Sequence, residues 1–388
     1  MLRGQADIRH PRRVRYLRRI DQVAQLSEEE RRRLRPVCER YAFRANDYYL
    51  NLINWADPKD PIRRLVIPSE DELEEWGKLD VSHEADYTVA PGVQHKYPHT
   101  VLILATMTCA AYCRYCFRKR LFMPDSEETA VDFSEGIEYI ARHPEVQNVL
   151  LSGGDPLVLS TGRLEALIAR LRAIDHVGVI RIGSKVPSFN PLRLLDDRAL
   201  FTMFARYSTP RKRIYLMSHF THPRELTTPA IEVVHRLLRA GVIIANQTPL
   251  LAGINDDPDV LGELWLRLSE IGATPYYLFV NRPTAGNAPF RVPLTRGYQL
   301  FQESLTRVSG LGRRLRYTMS HATGKVEIIG VDDHRIYIRY HRAAKPENAG
   351  RFLAFHRDDQ AYWLDDLVPV KEIDARRGNG RAHRLARG

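Results

Sequence analysis

Cys109, Cys113 and Cys116 fall within eight residues of the stretch "MTCAAYCRYCFRKR" (107–120), and the one other cysteine of the chain, Cys38, stands far upstream. Three thiolates at C-x3-C-x2-C spacing are metal-ligand chemistry. They do not complete a structural zinc site, which closes with four ligands and usually presents its cysteines as two pairs. A set one ligand short suits an iron–sulfur cluster with one iron left open to bind and activate a small molecule. The competing reading is a zinc site finished by His95 or His99. Cys38 reads as a small apolar residue on a helix.

The elements that must hold these cysteines are legible from residue 100 onward. Short aliphatic runs alternate with helical patterns at a spacing of roughly 30 residues, the mark of βα units and a parallel sheet. The expected strands are "TVLILATM", "VQNVLLS", "GVIRIGS", "RIYLMSHF", "VIIANQT" and "PYYLFVN". Between them, "GIEYIARHP", "LEALIARLRAI", "ALFTMFARY", "PAIEVVHRLLRAG" and "DVLGELWLRLSEIG" carry apolar residues at helical spacing, and "TRGYQLFQESLTRVSG" follows as a further helix. The fold class expected is α/β, a partial (β/α)6 barrel over residues 91–312. A mainly helical extension (1–90) precedes it, with Ser27 and Glu30 forming a capping box. A C-terminal segment (313–388) follows, with small antiparallel strands at "KVEIIG", "HRIYIRYH", "RFLAFH" and "AYWL" and a basic tail.

Such a barrel works at the C-terminal ends of its strands. The residues just past each expected strand are the cysteine motif, Ser152-Gly153-Gly154-Asp155, Ser184-Lys185, His219, Asn246-Gln247 and Asn281-Arg282. All are polar, glycine-rich or metal-binding, so the mouth is equipped for a polar cofactor and a charged substrate. In "LLSGGDP" the glycines permit close backbone approach and Asp155 can accept from an ammonium.

The formal charge of the 388 residues is +11, with 44% hydrophobic and 27% charged residues. Residues 1–20 contribute +6 (seven Arg, one Asp) and residues 371–388 contribute +4 (six Lys or Arg, two acids), leaving +1 for the body. The basic ends therefore read as solvated or oligomer-packing arms rather than a nucleic-acid groove. No run reaches the ~18 apolar residues of a membrane span, and the N-terminus lacks the apolar core of a secretory signal. A cytoplasmic location is expected, where reducing conditions suit metal-bound thiolates.

The triplet after the first strand resembles the radical S-adenosylmethionine (SAM) superfamily. That resemblance implies a four-iron four-sulfur cluster on Cys109, Cys113 and Cys116, and an open iron that binds SAM and cleaves it to a 5′-deoxyadenosyl radical. It also implies a SAM site involving Gly153, Gly154, Asp155, Ser184, His219 and Gln247. The stretches "HKYPHTVLILATMTCAAYCRYCFRKR", "LLSGGDP", "IRIGSK", "HFTHP", "NQTPLLAGIND" and "PYYLF…FRVP", spanning about residues 90–330, are together similar to the lysine 2,3-aminomutase family. This adds pyridoxal phosphate (PLP) and implies migration of an amino group from Cα to Cβ after removal of a β-hydrogen. By the same resemblance Lys325 holds PLP, Lys96 sits at one phosphate-binding position, and Arg118 clamps the substrate carboxylate. A small amino acid and a reductant such as flavodoxin or ferredoxin are the implied partners.

The chain also departs from that family. Only Gly324 remains of a glycine run before Lys325, and Thr100 stands where a second phosphate-binding arginine is expected. Arg282 and Thr318 occupy the places of the two aspartates that receive the lysine ε-ammonium. A cation and a hydroxyl cannot solvate an ammonium. The expected substrate side chain is therefore an acid or neutral acceptor, glutamate being the simplest, with Arg282 as its partner unless Arg282 points out of the barrel. Two alternatives stay open: another radical reaction on this scaffold, such as decarboxylation or dehydration, and a zinc-bearing nucleic-acid binder.

Overall fold

The computed structural model describes residues 14–123, 126 and 128–370. Most of the basic N-terminal stretch and all of residues 371–388 lie outside the described residues, and the expectation placed on those arms lies with them.

The N-terminal part is built from short pieces. α1 (Glu28–Arg40) starts at the expected capping box, with the Glu30 N–H donating to Ser27 Oγ at 3.1 Å and the Ser27 N–H donating to Glu30 at 2.8 Å. β1 (Tyr16–Leu17) and β2 (Ala45–Asn46) pair as a small separate sheet, and α2 (Asp47–Leu50) and α3 (Pro61–Val66) follow.

One mixed α/β sheet of twelve strands then runs in chain order from β3 (Thr88–Ala90) and β4 (Val93–Tyr97), both antiparallel, to β5 (Thr100–Thr106). β6 (Asn148–Gly153), β7 (Val179–Ser184), β8 (Arg213–Ser218), β9 (Ile243–Leu250) and β10 (Thr274–Val280) continue it in parallel, as the sequence leads one to expect. The crossovers carry α4 (Ser134–Arg142), α5 (Thr161–Arg172), α6 (Val186–Phe189), α7 (Pro191–Leu195), α8 (Arg198–Tyr207), α9 (Thr228–Arg239) and α10 (Pro258–Glu270). α11 (Leu294–Leu305) leads out of β10. Along the parallel strands Val149, Leu151, Ile180, Ile182 and Ile214 are fully buried beneath the helices, while alternate residues such as Leu150 and Arg181 are only half-buried.

Two features differ from the sequence reading. β11 (Arg316–His321) is a seventh parallel strand, paired to β10 through Tyr277↔Arg316 to Phe279↔Thr318. It is missed because the return from α11 carries a longer polar linker and a shorter apolar run than the earlier units. The sheet then continues without a break through the antiparallel β12 (Gly324–Val331), β13 (Arg335–Ala343) and β14 (Phe352–His356). "AYWL" is not a strand. Ala361, Tyr362 and Trp363 are buried as an aromatic plug, with the Tyr362 hydroxyl donating to the Asn281 carbonyl and its ring edge-on to Trp76.

Side chains, rather than a strand ladder, join the two ends of this sheet. Tyr87 donates to the Ala322 carbonyl (3.2 Å), Lys96 to that of His321 (3.0 Å) and Arg342 to Thr100 Oγ1 (3.1 Å). The β3–β5 edge is thereby held against the β11–β13 hairpins. Among the described residues no helix is long and apolar enough to cross a membrane.

Candidate active site

The cysteine loop leaves the C-terminal end of β5 and is pinned from both sides. The Gly154 N–H donates to the Thr106 carbonyl (2.6 Å) and the Asp155 N–H to that of Thr108 (2.9 Å). Gly153 has φ +102°, and a Cβ on Gly154 would lie 2.5 Å from the Thr108 carbonyl oxygen, so only glycine lets the end of β6 lie this close to the loop. From the N-terminal part, the Arg44 and Leu65 carbonyls accept the N–H groups of Tyr112 and Arg114.

All three thiols are raised, chiefly by burial; Cys109 is raised further by Asp155 and the other two cysteines, Cys113 is pushed up to about 12 with the Lys185 ammonium opposing the rise, and Cys116 is raised against the pull of the Arg118 N–H and of Lys119, Arg118 and Arg120. Three buried thiols in one loop, each harder to ionise than a free cysteine, fit a site that takes a cation, because metal binding deprotonates thiols outright. Among the described residues no three Cys, His, Asp or Glu side chains stand close enough to grip a single ion. The histidines of the zinc reading are elsewhere. His95 contacts the Tyr139 hydroxyl (2.8 Å) and the Pro98 carbonyl (3.1 Å), and His99 contacts the Glu145 carbonyl (2.9 Å). Both lie toward the N-terminal end of β5, a strand about 20 Å long, whereas the cysteines follow its C-terminal end.

The basic residues of the loop are buried against carboxylates. Arg114 makes a two-pronged pair with Glu72 (2.8 and 2.9 Å), which also stands 3.5 Å from Lys119. Lys119 further donates to the Gly286 carbonyl (2.8 Å).

Asp155 and Ser184 are bound to each other. Asp155 Oδ2 accepts from Ser184 Oγ (3.0 Å) and from the N–H groups of Lys185 (2.7 Å) and Val186 (3.1 Å), while Oδ1 accepts from the Leu157 N–H (3.0 Å). Asp155 thus ties the loop after β6 to the loop after β7. Lys185 runs on to Glu225 (2.6 Å), the His219 carbonyl (2.8 Å) and Thr221 (3.1 Å). Burial and this ammonium lower His219 to about 3, so its imidazole is neutral at physiological pH. Gln247 lies on β9 opposite Tyr277 of β10.

Glu84, in the turn before β3, was not singled out by the sequence and gathers Arg118, Arg120 and Arg282 around it. Its carboxylate accepts from Arg118 Nε and Nη2 (both 2.9 Å) and from Arg120 Nη2 (2.7 Å), and lies 3.6 Å from Arg282 Nη1. These guanidiniums, Arg118 first, hold its carboxyl far below the usual range despite burial. Arg118 Nη1 reaches Ser152 Oγ (3.0 Å). Three of its five N–H groups are therefore occupied, leaving one on each terminal nitrogen. Arg282 points inward: its guanidinium lies 3.7 Å from the centre of the Phe117 ring and donates to Ser82 Oγ (2.7 Å). A lone glutamate in "VSHEADY" has no pattern to mark it. The available signal was the excess of arginines in a neutral body, which must find counter-ions when buried.

Lys325 opens β12, its Nζ 3.4 Å from Ser320 Oγ and 4.4 and 4.7 Å from the centres of the Phe279 and Tyr277 rings. Burial, then Arg282, Arg342, Arg181 and Lys96, depress its amine well below the ordinary lysine value. A neutral amine is the nucleophilic form needed to capture an aldehyde. Gly324 has φ +150°, and a Cβ there would meet the Arg342 carbonyl oxygen at 2.2 Å, so this one glycine is demanded by the hairpin itself. Thr318 is fully buried in β11 with its hydroxyl unpartnered. Cysteine loop, Arg118, Arg282, Lys96 and Lys325 form one connected set: Phe117, between Cys116 and Arg118, carries Arg282, and Arg282 is the strongest charged influence on Lys325 and Lys96 alike.

Residues 103–262 match the radical SAM superfamily. A protein of Aquifex aeolicus (strain VF5), provisionally named L-lysine 2,3-aminomutase, is 51% identical over 92% of this chain and 96% of its own length. The L-lysine 2,3-aminomutase of Fusobacterium nucleatum is 37% identical over 75% of this chain and 68% of its own. The glutamate 2,3-aminomutase of Clostridioides difficile is 33% identical over the same shares. The chain belongs to the lysine 2,3-aminomutase family of the radical SAM superfamily and is an enzyme of the isomerase kind.

Proposed function

We propose that this enzyme is a PLP-dependent amino acid 2,3-aminomutase whose substrate carries an acidic or neutral side chain in place of the lysine ammonium. Its cofactors are those of its family, a four-iron four-sulfur cluster, SAM and PLP. The seven parallel strands read as a partial barrel with the site in its mouth, and a cytoplasmic location with a flavodoxin- or ferredoxin-type reductant suits such a cluster. When bound, the cluster with SAM would supply the carbon-radical chemistry and PLP would supply delocalisation of an unpaired electron.

The chain's own residues bind and orient. Cys109, Cys113 and Cys116 would hold the cluster. The backbone at Gly153 and Gly154, placed by Asp155 and Ser184, would meet SAM, with neutral His219 and Gln247 beside it. Lys325 would hold PLP by condensing its neutral amine with the aldehyde and releasing water. Arg118, its guanidinium fixed by Glu84 and Ser152, keeps two N–H groups free to receive the substrate α-carboxylate as a pair.

Arg282 carries the substrate assignment. It faces the cysteine loop across Phe117, and the nearby carboxylate, Glu84, is already shared with Arg118 and Arg120. A lysine ε-ammonium there would face a cation with no acid of its own, and an unpaired like-charge contact costs several kcal/mol, about 10³-fold in preference. An acidic side chain would relieve the same surplus, and a relative named glutamate 2,3-aminomutase supports such a substrate. The test is anaerobic turnover of lysine, glutamate, arginine and ornithine by reconstituted, reduced enzyme. Glutamate turnover lost in Arg282→Asp supports the assignment, and turnover of lysine alone ends it. The deeply depressed Lys325 amine favours amino migration over a PLP-free decarboxylation or dehydration. A Schiff-base absorbance that disappears in Lys325→Ala supports that preference, and wild type that forms no such band with PLP reverses it.

A further inference from the structure

We infer that Arg342, with Arg181 and Lys96, forms the anion subsite that holds the phosphate monoester of PLP. The inference rests on the aminomutase reading above and adds two arginines to it from strands β13 and β7.

Arg342 lies directly across the β12–β13 ladder from Lys325. The register slips there: Val326 pairs with Tyr340, so His341 is an extra residue on β13. In regular alternation Arg342 would share a face with the buried Tyr340; the bulge returns it to the face of Lys325, the re-aiming for which bulges beside active sites are used. Its guanidinium then crosses to the β4–β5 turn, where Nη2 donates to Thr100 Oγ1 at 3.1 Å and the group lies 4.2 Å from the centre of the Tyr97 ring. Thr100, a position without a cation of its own, is thus supplied with one from 242 residues away.

Arg181 and Lys96 complete the cluster. Arg181 is held by Asn148 Oδ1 (2.8 Å), and burial followed by Arg342 weakens its hold on its proton. Lys96 donates to the His321 carbonyl (3.0 Å), lies 5.0 Å from the centre of the Tyr87 ring, and is pulled down to about 8 by burial and Arg282. The neighbouring carboxylates are already taken, Glu84 by its arginines, Asp80, which also acts on Lys96, by Arg120 (3.8 Å), and Glu327 by Arg316 (3.0 Å) and Arg339 (2.6 Å). Beside a neutral lysine amine there is therefore a converging set of cations with no acid of its own. A dianionic phosphate neutralises such a set, and an aldehyde on the same small molecule would reach the amine.

The test is a spectroscopic titration of the purified enzyme with PLP and, separately, with pyridoxal, which has the aldehyde but no phosphate. Wild type, Arg342→Ala, Arg342→Lys and Arg181→Gln are compared, with thermal unfolding as a check on folding. Loss of a charge-assisted contact to phosphate is expected to weaken PLP about 10- to 100-fold in Arg342→Ala, with pyridoxal unchanged and Arg342→Lys within a few-fold of wild type. Added inorganic phosphate should compete with PLP in wild type and less in Arg342→Ala. If Arg342→Ala leaves PLP affinity intact, or weakens PLP and pyridoxal equally, the subsite is wrong while the aminomutase reading stands. If wild type forms no Lys325-dependent linkage with PLP, both fall together.

Discussion

Replacing Glu84 by Gln removes the carboxylate that Arg118, Arg120 and Arg282 share while keeping the side chain's size. Three charge-assisted hydrogen bonds of 2.7–2.9 Å become at best neutral ones, and the 3.6 Å contact to Arg282 loses its sign. Arg120 keeps Glu128 at 2.7 Å, but Arg118, 6% exposed, and Arg282 have no second carboxylate within ion-pair distance among the described residues. Breaking a buried pair by removing one partner costs about 3–5 kcal/mol, far above the ~1 kcal/mol ceiling of an exposed pair. Denaturant unfolding at neutral pH should show that loss as a lower midpoint with an unchanged slope. The pH dependence supplies a second check. A carboxyl depressed by folding contributes stability that is present above its unfolded value, about 4.3, and is lost as pH falls through the folded value below it. The gap between wild type and Glu84→Gln should therefore be constant above about pH 5 and close progressively in stronger acid. A loss under about 1 kcal/mol, or a gap that does not close in acid, would show that solvent rather than Glu84 balances these arginines.

Substituting any one of Cys109, Cys113 and Cys116 by Ala should abolish stoichiometric iron and sulfide after anoxic reconstitution and stop release of 5′-deoxyadenosine on reduction; retention of full iron by all three variants would refute the cluster assignment. Lys325→Met should stabilise the fold, because the buried amine gives up a proton that the unfolded chain keeps; the gain should shrink as pH rises toward about 10.4, where the unfolded lysine releases it too, and unfolding curves at pH 7 and 10 test the sign. Gly324→Ala should cost at least 1–3 kcal/mol from the φ of +150° and the contact with the Arg342 carbonyl, seen as a lower unfolding midpoint together with weaker PLP binding.

Much of the scaffold is written locally. Period-two and helical patterns fall where β5 to β10 and their helices form, because each records burial on one face of its own element. The cysteine spacing, the glycines after β6 and the reversal of sign at Arg282 are equally readable, since each is a property of neighbouring residues or of one position. What the tertiary structure alone decided is which distant charges meet. Glu84 finds Arg118 across 34 residues, Arg342 finds Thr100 across 242, and Asp155 turns toward Ser184 and the next loop rather than outward. A buried ion must be paired, but no local pattern names its partner; closing the two ends of the sheet against each other makes that choice.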